Sequence, residues 1–517
     1  MVSKTVPAHV QVNGSMPLLV YIAIIALFFA LFGGNGIAAE DVENTAEITG
    51  EEVEKVHDIG IAVAINNRLS RVDRKSFSFI DVSVKDGIVT LTGTADSLWT
   101  QQRATELPQT IRGVRGVIDR ISVGPLDTTN DSALKKHLEY LFLEDPVVER
   151  DDIHIDVVQG VVILKGRVHS RQEKRTALNL AKMVKGIREV QDFLKVESAP
   201  DRPDSILQEE IIHRLAFDVW VVNRSLLNVQ VEKGRAVLTG QVGSVYEKGR
   251  IADLAWVEGV REVDASGITV NWVSPDPMMR NQRPMFTDRE ISHAIQKVLA
   301  HDRRVAPFGI QVSVNHGTVT LKGTVPFLSI KREAEQNANN TVGVRSVNNL
   351  ISVDSNATSQ DADIQARLFA EFARDPVLEH FTLGGLVKKG AVLLTGTVDS
   401  IYERNHAENV ASRIRGVKSL TNHISFSKPE IEKTDWEIQL DFENQVWWSP
   451  FLSSQDIVAT VEDGKATLSG SVQHMHQRLI AEQQAFEAGA SIVLNRLQVG
   501  TSLTSPESST PSIHARR

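Results

Sequence analysis

The sequence predicts an α+β fold, built as six tandem domains in which two helices cover one face of a three-stranded mixed sheet in the order αββαβ. The first observation is a pattern that occurs six times: a Gly, a Leu four residues later and a second Gly six residues later. The second is its spacing, because the first glycines are 73, 74, 83, 73 and 74 residues apart, which is the size of a small domain. The third is an apolar stripe at helical spacing beside each copy. The six first glycines are Gly87, Gly160, Gly234, Gly317, Gly390 and Gly464.

Each copy of the pattern is typical of the second arm of a β-hairpin. The first Gly follows a residue with which it makes a turn-type dipeptide, as in Lys389-Gly390, and Gly supplies the positive φ that a tight hairpin turn needs. The arm then alternates, with Val392 and Leu394 on one face and Thr395 on the other. We therefore expect a strand with one buried face.

One helix is predicted before each hairpin and another after it. In the fifth copy Ile364 and Leu368 precede the hairpin, and Ala407, Val410 and Ile414 follow it at three- and four-residue steps. A further Gly then introduces a final alternating strand in every copy. A core of this size is marginal alone, so neighbouring units are expected to support each other.

An Asp stands near the end of the first helix in five copies, whereas the sixth has Ser449-Pro450. Asp at a helix end usually serves turn chemistry, and a role as ligand or base is the alternative. The five are Asp73, Asp145, Asp218, Asp302 and Asp375.

These patterns set the predicted boundaries of the six domains, which we call units 1 to 6. The ranges are 1–39 for a signal peptide or signal anchor, 40–54 for an acidic spacer, 55–125, 129–198, 203–272, 286–355, 360–428 and 433–500 for the units, 273–285 for a linker, and 501–517 for a disordered tail. Because the linker between units 3 and 4 is the long one, the units are predicted to divide into two groups of three.

The first forty residues predict export from the cytoplasm. Fifteen consecutive apolar residues run from Leu18 to Phe32, after Lys4 and before an acidic stretch. Two interpretations remain open: a signal peptide cleaved near Ala39, or an uncleaved inner-membrane anchor over residues 17–39, which reaches the ~20 residues of a span only when the glycines are counted. In both, the bulk of the chain is periplasmic or extracytoplasmic.

Composition excludes several classes of function. A net charge of -9 argues against nucleic-acid binding, which needs a basic footprint. The absence of cysteine excludes disulfides, thiolate nucleophiles and zinc–thiolate sites. The pairs His474/His476 and His293/His301 bring no third ligand at a recognisable spacing, so no metal site, cofactor, catalytic residue or small-molecule substrate is predicted.

The combination of helix, strand, G-x-x-x-L-x-G strand, helix, G-V-x-x-V and final strand resembles the BON domain, named for bacterial osmotically inducible and nodulation proteins. The resemblance covers about residues 55 to 500. Unit 3 departs from it by one residue fewer in the second helix and one more near Gly267, and unit 6 has Gly489-Ala490 in place of Gly-Val. The resemblance implies a non-enzymatic protein exported to the bacterial envelope, with phospholipid binding or stress protection as its role.

A repeated cation is the candidate binding feature. It stands eight residues after the second Gly in five units, near the start of the second helix, where the helix dipole disfavours it. Two interpretations are open: contact with anionic lipid, or a solvated helix face pairing with Glu173, Glu247, Glu333 or Glu403. Trp220, Trp256, Trp447 and Trp448 are likewise either membrane-interface anchors or core residues. The five cations are Lys174, Lys248, Lys331, Arg404 and Arg478.

With what the resemblance implies, the predicted function is that of a non-enzymatic cell-envelope scaffold, which binds an anionic phospholipid membrane surface through several weak sites at once and serves in envelope stress protection. The alternative is a periplasmic protein-interaction scaffold without lipid contact. An enzyme would need titratable groups that converge in a cleft between units.

Overall fold

The computed structural model describes residues 50–73, 75–124, 130–145, 147–197, 202–222, 224–271, 286–354, 360–427, 433–453 and 456–500. The predicted signal or anchor segment, most of the acidic spacer, the linker 273–285 and the tail lie outside these residues. Within them, no helix combines the length and the apolar character that crossing a bilayer requires.

Each unit has two helices, as the apolar spacing predicts. The first helices are α1 (Gly50–Val72), α3 (Asp131–Glu144), α5 (Asp204–Phe217), α7 (Asp288–His301), α9 (Asp361–Arg374) and α11 (Asp435–Trp448). The second helices are α2 (Leu98–Glu106), α4 (Arg171–Met183), α6 (Val245–Leu254), α8 (Leu328–Asn339), α10 (Ile401–Ser412) and α12 (Met475–Ala488). In unit 1 a 3₁₀ turn, Leu107–Thr110, takes over where Pro108 occurs.

Each unit has a small sheet, which in unit 4 is divided into a three-stranded and a two-stranded part. Units 1 to 3 contain β1 (Ile80–Lys85), β2 (Ile88–Ala95) and β3 (Gly116–Val123); β4 (Ile153–Val158), β5 (Val161–Val168) and β6 (Glu189–Val196); β7 (Leu227–Glu232), β8 (Arg235–Val242) and β9 (Glu262–Val270). Units 4 to 6 contain β10 (Gln311–Asn315), β11 (Thr318–Lys322), β12 (Thr324–Val325), β13 (Ser346–Asn349) and β14 (Ser352–Val353); β15 (Leu383–Lys388), β16 (Ala391–Val398) and β17 (Ser419–Phe426); β18 (Ile457–Glu462), β19 (Lys465–Val472), β20 (Ile492–Asn495) and β21 (Gln498–Val499).

The sheets are mixed, so the predicted fold class of tandem α+β sandwiches is confirmed. In unit 5, β15 pairs antiparallel with β16, and β17 pairs parallel with β16. Interruptions divide the strands in unit 4 and the last strand in unit 6. In unit 3 the extra residue near Gly267 forms a β-bulge, because Val237 pairs with Asp264 whereas Thr239 pairs with Gly267.

The hairpin turn is fastened to the first helix in every unit. Lys389 and Gly390 both have positive φ, 53° and 77°, which is the backbone of a type I′ turn. Their N–H groups donate to the Asp361 carboxylate at 2.7 and 3.0 Å. A Cβ on Gly390 would lie 2.7 Å from the Gly416 carbonyl oxygen, so this turn has no room for a side chain. Asp58, Asp131, Asp204, Asp288 and Asp435 hold the other five turns in the same way.

Six apolar cores result, one between the helices and sheet of each unit. Unit 5 is typical, with Leu368 of α9, Leu394 of β16 and Ala407 of α10 fully buried together. Some cores also take in residues of other units. Trp447 and Trp448 of unit 6 belong to the core of unit 1, and Leu328 of unit 4 belongs to that of unit 5. The units therefore do not pack as independent domains.

Candidate functional site

The five repeated cations lie half-buried on the second helices. Three of them donate to a backbone carbonyl of the last strand of their own unit, and Gln101 makes the equivalent bond in unit 1. These bonds join Lys174 Nζ to Leu194 O at 2.7 Å, Lys248 Nζ to Ile268 O at 2.7 Å, Arg478 Nη2 to Asn495 O at 2.9 Å, and Gln101 Nε2 to Ile121 O at 2.9 Å. Such a bond braces the helix against the sheet, which accounts for a cation at this end of the helix.

The other two cations differ in their contacts. The Arg404 guanidinium lies 5.8 Å from the centre of the Phe426 ring in its own unit. Lys331 contributes its backbone carbonyl, which accepts from Asn349 Nδ2 at 2.8 Å. Contact between these five cations and lipid stays a prediction.

Three of the four glutamates predicted beside the cations serve the start of the second helix, namely Glu173, Glu247 and Glu403, whereas Glu333 pairs with Arg304. Glu173 is 1% exposed, and its carboxylate accepts from Glu149 N at 2.9 Å and His169 N at 2.7 Å. Glu403 accepts from the N–H groups of Asp399 and Ser400 at 2.7 and 2.8 Å. These carboxylates therefore fix the loops around the start of the second helix. The sequence did not predict this role for them.

Burial raises the pKa of Glu403 to about 8. The negative charges of Asp73 and Asp399 add to this rise, whereas the two backbone N–H groups oppose it.

The Asp residues at the first-helix ends serve turn chemistry. Asp375 accepts from the N–H of Val377 at 2.9 Å, and its second oxygen lies 2.8 Å from His406 Nε2. In unit 3, Asp218 forms a buried ion pair with Arg250 at 2.6 Å. Both pairs join the two helices of one unit.

The two candidate histidine pairs differ, because His293 and His301 each contact unit 3 instead of each other, whereas His474 and His476 contact one another. His301 Nε2 lies 2.8 Å from Glu210 Oε1 of unit 3. Burial opposes ionisation of this carboxyl, but the bonds from His301 and Arg202 outweigh it and hold the pKa of Glu210 at about 2. His293 lies against His213 of unit 3, with ring centres 6.1 Å apart. The His474 and His476 rings stack at 5.7 Å.

A first set of contacts pairs unit 1 with unit 6, unit 2 with unit 5 and unit 3 with unit 4. In each, the loop after the second helix of one unit meets the end of the first helix of the other or the loop that follows it. The contacts are Arg112 N to Trp448 O at 2.7 Å, Lys185 Nζ to Glu379 Oε1 at 2.5 Å, and Val342 N to Phe217 O at 2.8 Å. The first and third are the same backbone bond made at equivalent positions.

A second set of contacts pairs unit 1 with unit 5, unit 2 with unit 4 and unit 3 with unit 6. Here the start of a second helix meets the end of the first helix of another unit or the loop that follows it. The contacts are Ser400 Oγ to Val72 O at 2.8 Å, Gln172 Nε2 to Asp302 Oδ1 at 2.6 Å, and the Trp220 and His476 rings at 4.7 Å. The two sets together close the units into a ring in the order 1, 6, 3, 4, 2, 5.

Further contacts lie within each half of the chain. Units 2 and 3 are joined by Arg175 and Asp253 at 2.9 Å, and units 4 and 5 by Arg332 and Glu408 at 2.5 Å. Lys182 of unit 2 donates to Gln102 of unit 1 at 3.2 Å. The second helices therefore face one another.

All four candidate tryptophans lie at contacts between units. Trp447 and Trp448 are 6% and 7% exposed, in the core of unit 1. Trp220 packs on Phe451 of unit 6 with ring centres 4.9 Å apart. The Trp256 ring of unit 3 lies 3.1 Å from the guanidinium of Arg171 of unit 2. Within the described residues these rings serve packing between units.

A polar cavity of about 400 Å³ lies where units 1 to 4 meet. Its lining includes Glu106, Thr176 and Asn179, together with Asp253 and Arg304. Arg304 is already paired with Asp302 at 2.9 Å. The charged groups in this lining thus have partners of opposite charge in the protein itself.

Comparison with known proteins identifies the repeated unit. The family model described as "BON domain" matches residues 57–125, 130–198, 203–271, 287–355, 360–428 and 434–501. The predicted resemblance, with about six tandem copies, is confirmed.

Two curated proteins are similar to parts of the chain. "Osmotically-inducible protein Y" of Escherichia coli (strain K12) is 25% identical over 187 residues, which cover 34% of this chain and 93% of that protein. "Uncharacterized protein in gshII 5'region" of Anaplasma centrale is 28% identical over 147 residues, which cover 28% of this chain and 96% of that protein.

A solved structure of the C-terminal domain of CdsD, a structural protein of the type III secretion system of Chlamydia trachomatis, is 14% identical. It covers 42% of this chain and 98% of that domain with a TM-score of 0.12, at which the likeness carries no functional argument.

Proposed function

Because the chain belongs to the BON domain family along all six units, we propose that it is a non-enzymatic cell-envelope scaffold whose units act as one closed body and bind a protein partner in the periplasm. Similarity to an osmotically inducible protein supports a role in envelope stress protection. The observation that carries the proposal is the ring of contacts, in which the second helices of the units pack against other units. The partner then meets the outer surface of a single body.

The first test measures the shape of the protein. A compact body of roughly 450 residues has a radius of gyration of about 22 Å, whereas six units on flexible linkers would be much larger. Small-angle X-ray scattering of residues 41–517 is expected to give the smaller value. A value above about 30 Å would contradict the closed body.

The second test identifies the kind of partner. Cross-linking in intact cells of the native host is expected to capture the same envelope protein repeatedly, with cross-links on the outer surface. If the variant Trp447→Ala/Trp448→Ala captures that protein as efficiently as the native chain, the closed body is not what binds it.

A second candidate function is contact with anionic lipid. It is supported by a set of cations other than the five on the second helices. Two residues after the Gly that precedes the last strand, five units carry an exposed cation beside the hairpin turn. These are Arg115, Arg188, Arg261, Arg345 and Lys418. A cation near an anionic bilayer contributes ~1 kcal/mol of binding free energy.

Flotation of residues 41–517 with phosphatidylglycerol vesicles at low salt tests this candidate. If the turn cations carry it, replacing all five with Gln abolishes flotation, and replacing Lys174, Lys248 and Arg478 with Gln leaves it unchanged. The reverse result would support the helix cations predicted from the sequence. If the native protein stays unbound, both lipid versions fail.

A further inference from the structure

A cluster of four side chains occurs in unit 2 at one edge of its sheet. Glu149 lies in the loop after α3, Asp152 directly precedes β4, His169 directly follows β5 and Glu197 directly follows β6. His169 Nε2 lies 3.0 Å from Glu149 Oε2 and 3.5 Å from Asp152 Oδ2. His169 Nδ1 lies 2.8 Å from Glu197 Oε2.

The three groups around His169 Nε2 have the separations of a metal-ligand set. With bonds of about 2.1 Å to nitrogen and oxygen, two ligand atoms of a tetrahedral zinc ion lie about 3.4 Å apart. The two measured separations from Nε2 are 3.0 and 3.5 Å. All three ligand atoms lie within 4.8 Å of one another. An ion can therefore enter with small side-chain rotations.

The fourth side chain stands where metal sites place an orienting carboxylate. When Glu197 accepts the proton of His169 Nδ1, the lone pair of Nε2 faces Glu149 and Asp152. A neutral imidazole so oriented would face two carboxylates with a lone pair. That arrangement calls for a cation between them, supplied either by a metal ion or by protonation of the ring.

The backbone around the cluster is held by a buried group. The Glu173 carboxylate binds the N–H groups of both Glu149 and His169. Glu197 N donates to Val168 O at 2.8 Å, which places Glu197 beside His169. These loops are thus fixed relative to one another. The histidine is particular to unit 2, since the other units have Asp96, Gly243, Pro326, Asp399 and Gln473 at this position.

We infer that unit 2 carries a binding site for a divalent transition-metal ion, with Glu149, Asp152 and His169 as ligands and Glu197 as the group that orients the imidazole. One imidazole and two carboxylates suit zinc or manganese, whereas magnesium and calcium prefer all-oxygen sites. With three protein ligands, a fourth position remains for water. This inference is independent of the proposed scaffold function.

Isothermal titration of the tag-free, EDTA-treated full-length protein with ZnCl₂ tests the inference. The native protein is expected to bind one equivalent of zinc. The variants His169→Ala and Glu149→Gln/Asp152→Asn are expected to bind zinc with an affinity lower than that of the native protein by a factor of 10 or more. Glu197→Gln is expected to weaken that binding roughly 10- to 100-fold. The matched control is His154→Ala, because His154 forms a pair with Asp156 at 3.2 Å in the same unit and, among the described residues, no third ligand group joins them.

Two results would overturn the inference. One is native protein without a stoichiometric zinc site, which would assign the cluster to an imidazolium paired with carboxylates. The other is equal zinc binding by the native protein and both ligand variants. Circular dichroism in EDTA checks that each variant is folded. If His169→Ala unfolds, the double variant still tests the site, because it keeps the backbone hydrogen bonds from Glu149 and His169 to Glu173.

Discussion

Replacing Trp448 with Ala would open the ring between units 1 and 6. The side chain is 7% exposed and packs on α1 where Gly60 leaves room, since a Cβ there would lie 3.1 Å from the indole ring. An indole buries roughly 150–250 Å², which at about 25 cal/mol per Å² corresponds to roughly 4–6 kcal/mol. Measured losses for truncating a buried Trp to Ala are about 3–5 kcal/mol.

Hydrogen exchange read by mass spectrometry gives the assay. A loss of 3–5 kcal/mol in the contact between units 1 and 6 would raise the opening equilibrium by roughly two to nearly four orders of magnitude. Amides of α1 and of α11 are therefore expected to exchange faster together in Trp448→Ala. The matched control is Trp436→Ala on the same helix, where the side chain is 66% exposed and the expected change is within about 0.5 kcal/mol. If α11 alone loses protection, Trp448 does not stabilise unit 1 and the ring is refuted at this point.

Two further predictions concern carboxylates. Because burial raises the pKa of Glu403 to about 8, well above its unfolded value, its favourable contribution is complete below about pH 4.5 and is lost as the pH rises through 8. Glu403→Gln should therefore have the same free energy of unfolding as the native protein at pH 5 and a higher one at pH 9, by at most roughly 5 kcal/mol, as measured by denaturant titration, and an equal gain at both pH values would refute the assignment. Glu247→Gln is the contrast, because both Glu247 oxygens accept backbone N–H bonds, so it should destabilise at both pH values. Asp361→Ala should cost about 1–3 kcal/mol in the unfolding free energy of unit 5, since two turn N–H groups lose their acceptor, whereas Asp363→Ala on the exposed side of α9 should change it by less than about 0.5 kcal/mol, and equal effects would count against the turn clamp.

The fold of one unit could be predicted from sequence because its rules are local. The turn Gly, the two-residue period of apolar residues in strands and their 3.6-residue period in helices are each visible within a few residues. Because the pattern occurs six times, an exception in one copy, such as Pro108, does not hide it. The Asp361 clamp was also within reach. An Asp stands 29 residues before the turn Gly in five units and 30 before it in unit 3, and this spacing marks the clamp in the sequence.

The contacts between units could not be predicted in this way, because no period connects them. Arg112 and Trp448 are 336 residues apart and carry no shared pattern, although Val342 and Phe217 make the same backbone bond. The cluster at His169 escaped for a related reason. Its members are separated by whole strands and a helix, so no spacing typical of a ligand motif marks them in the sequence.

The ring also changes how repeated weak sites can act. Avidity from several sites requires that all of them reach one target at the same time. The residue six positions after the second Gly faces another unit in five of the six units, and a flat bilayer cannot reach residues packed between units. These residues are Trp99, Gln172, Tyr246, Tyr402 and His476. A bilayer or a partner would therefore meet only the outward-facing surfaces, and a closed body turns different units toward different sides. Repetition in this chain thus favours assembly of the body itself over multiplication of one binding site.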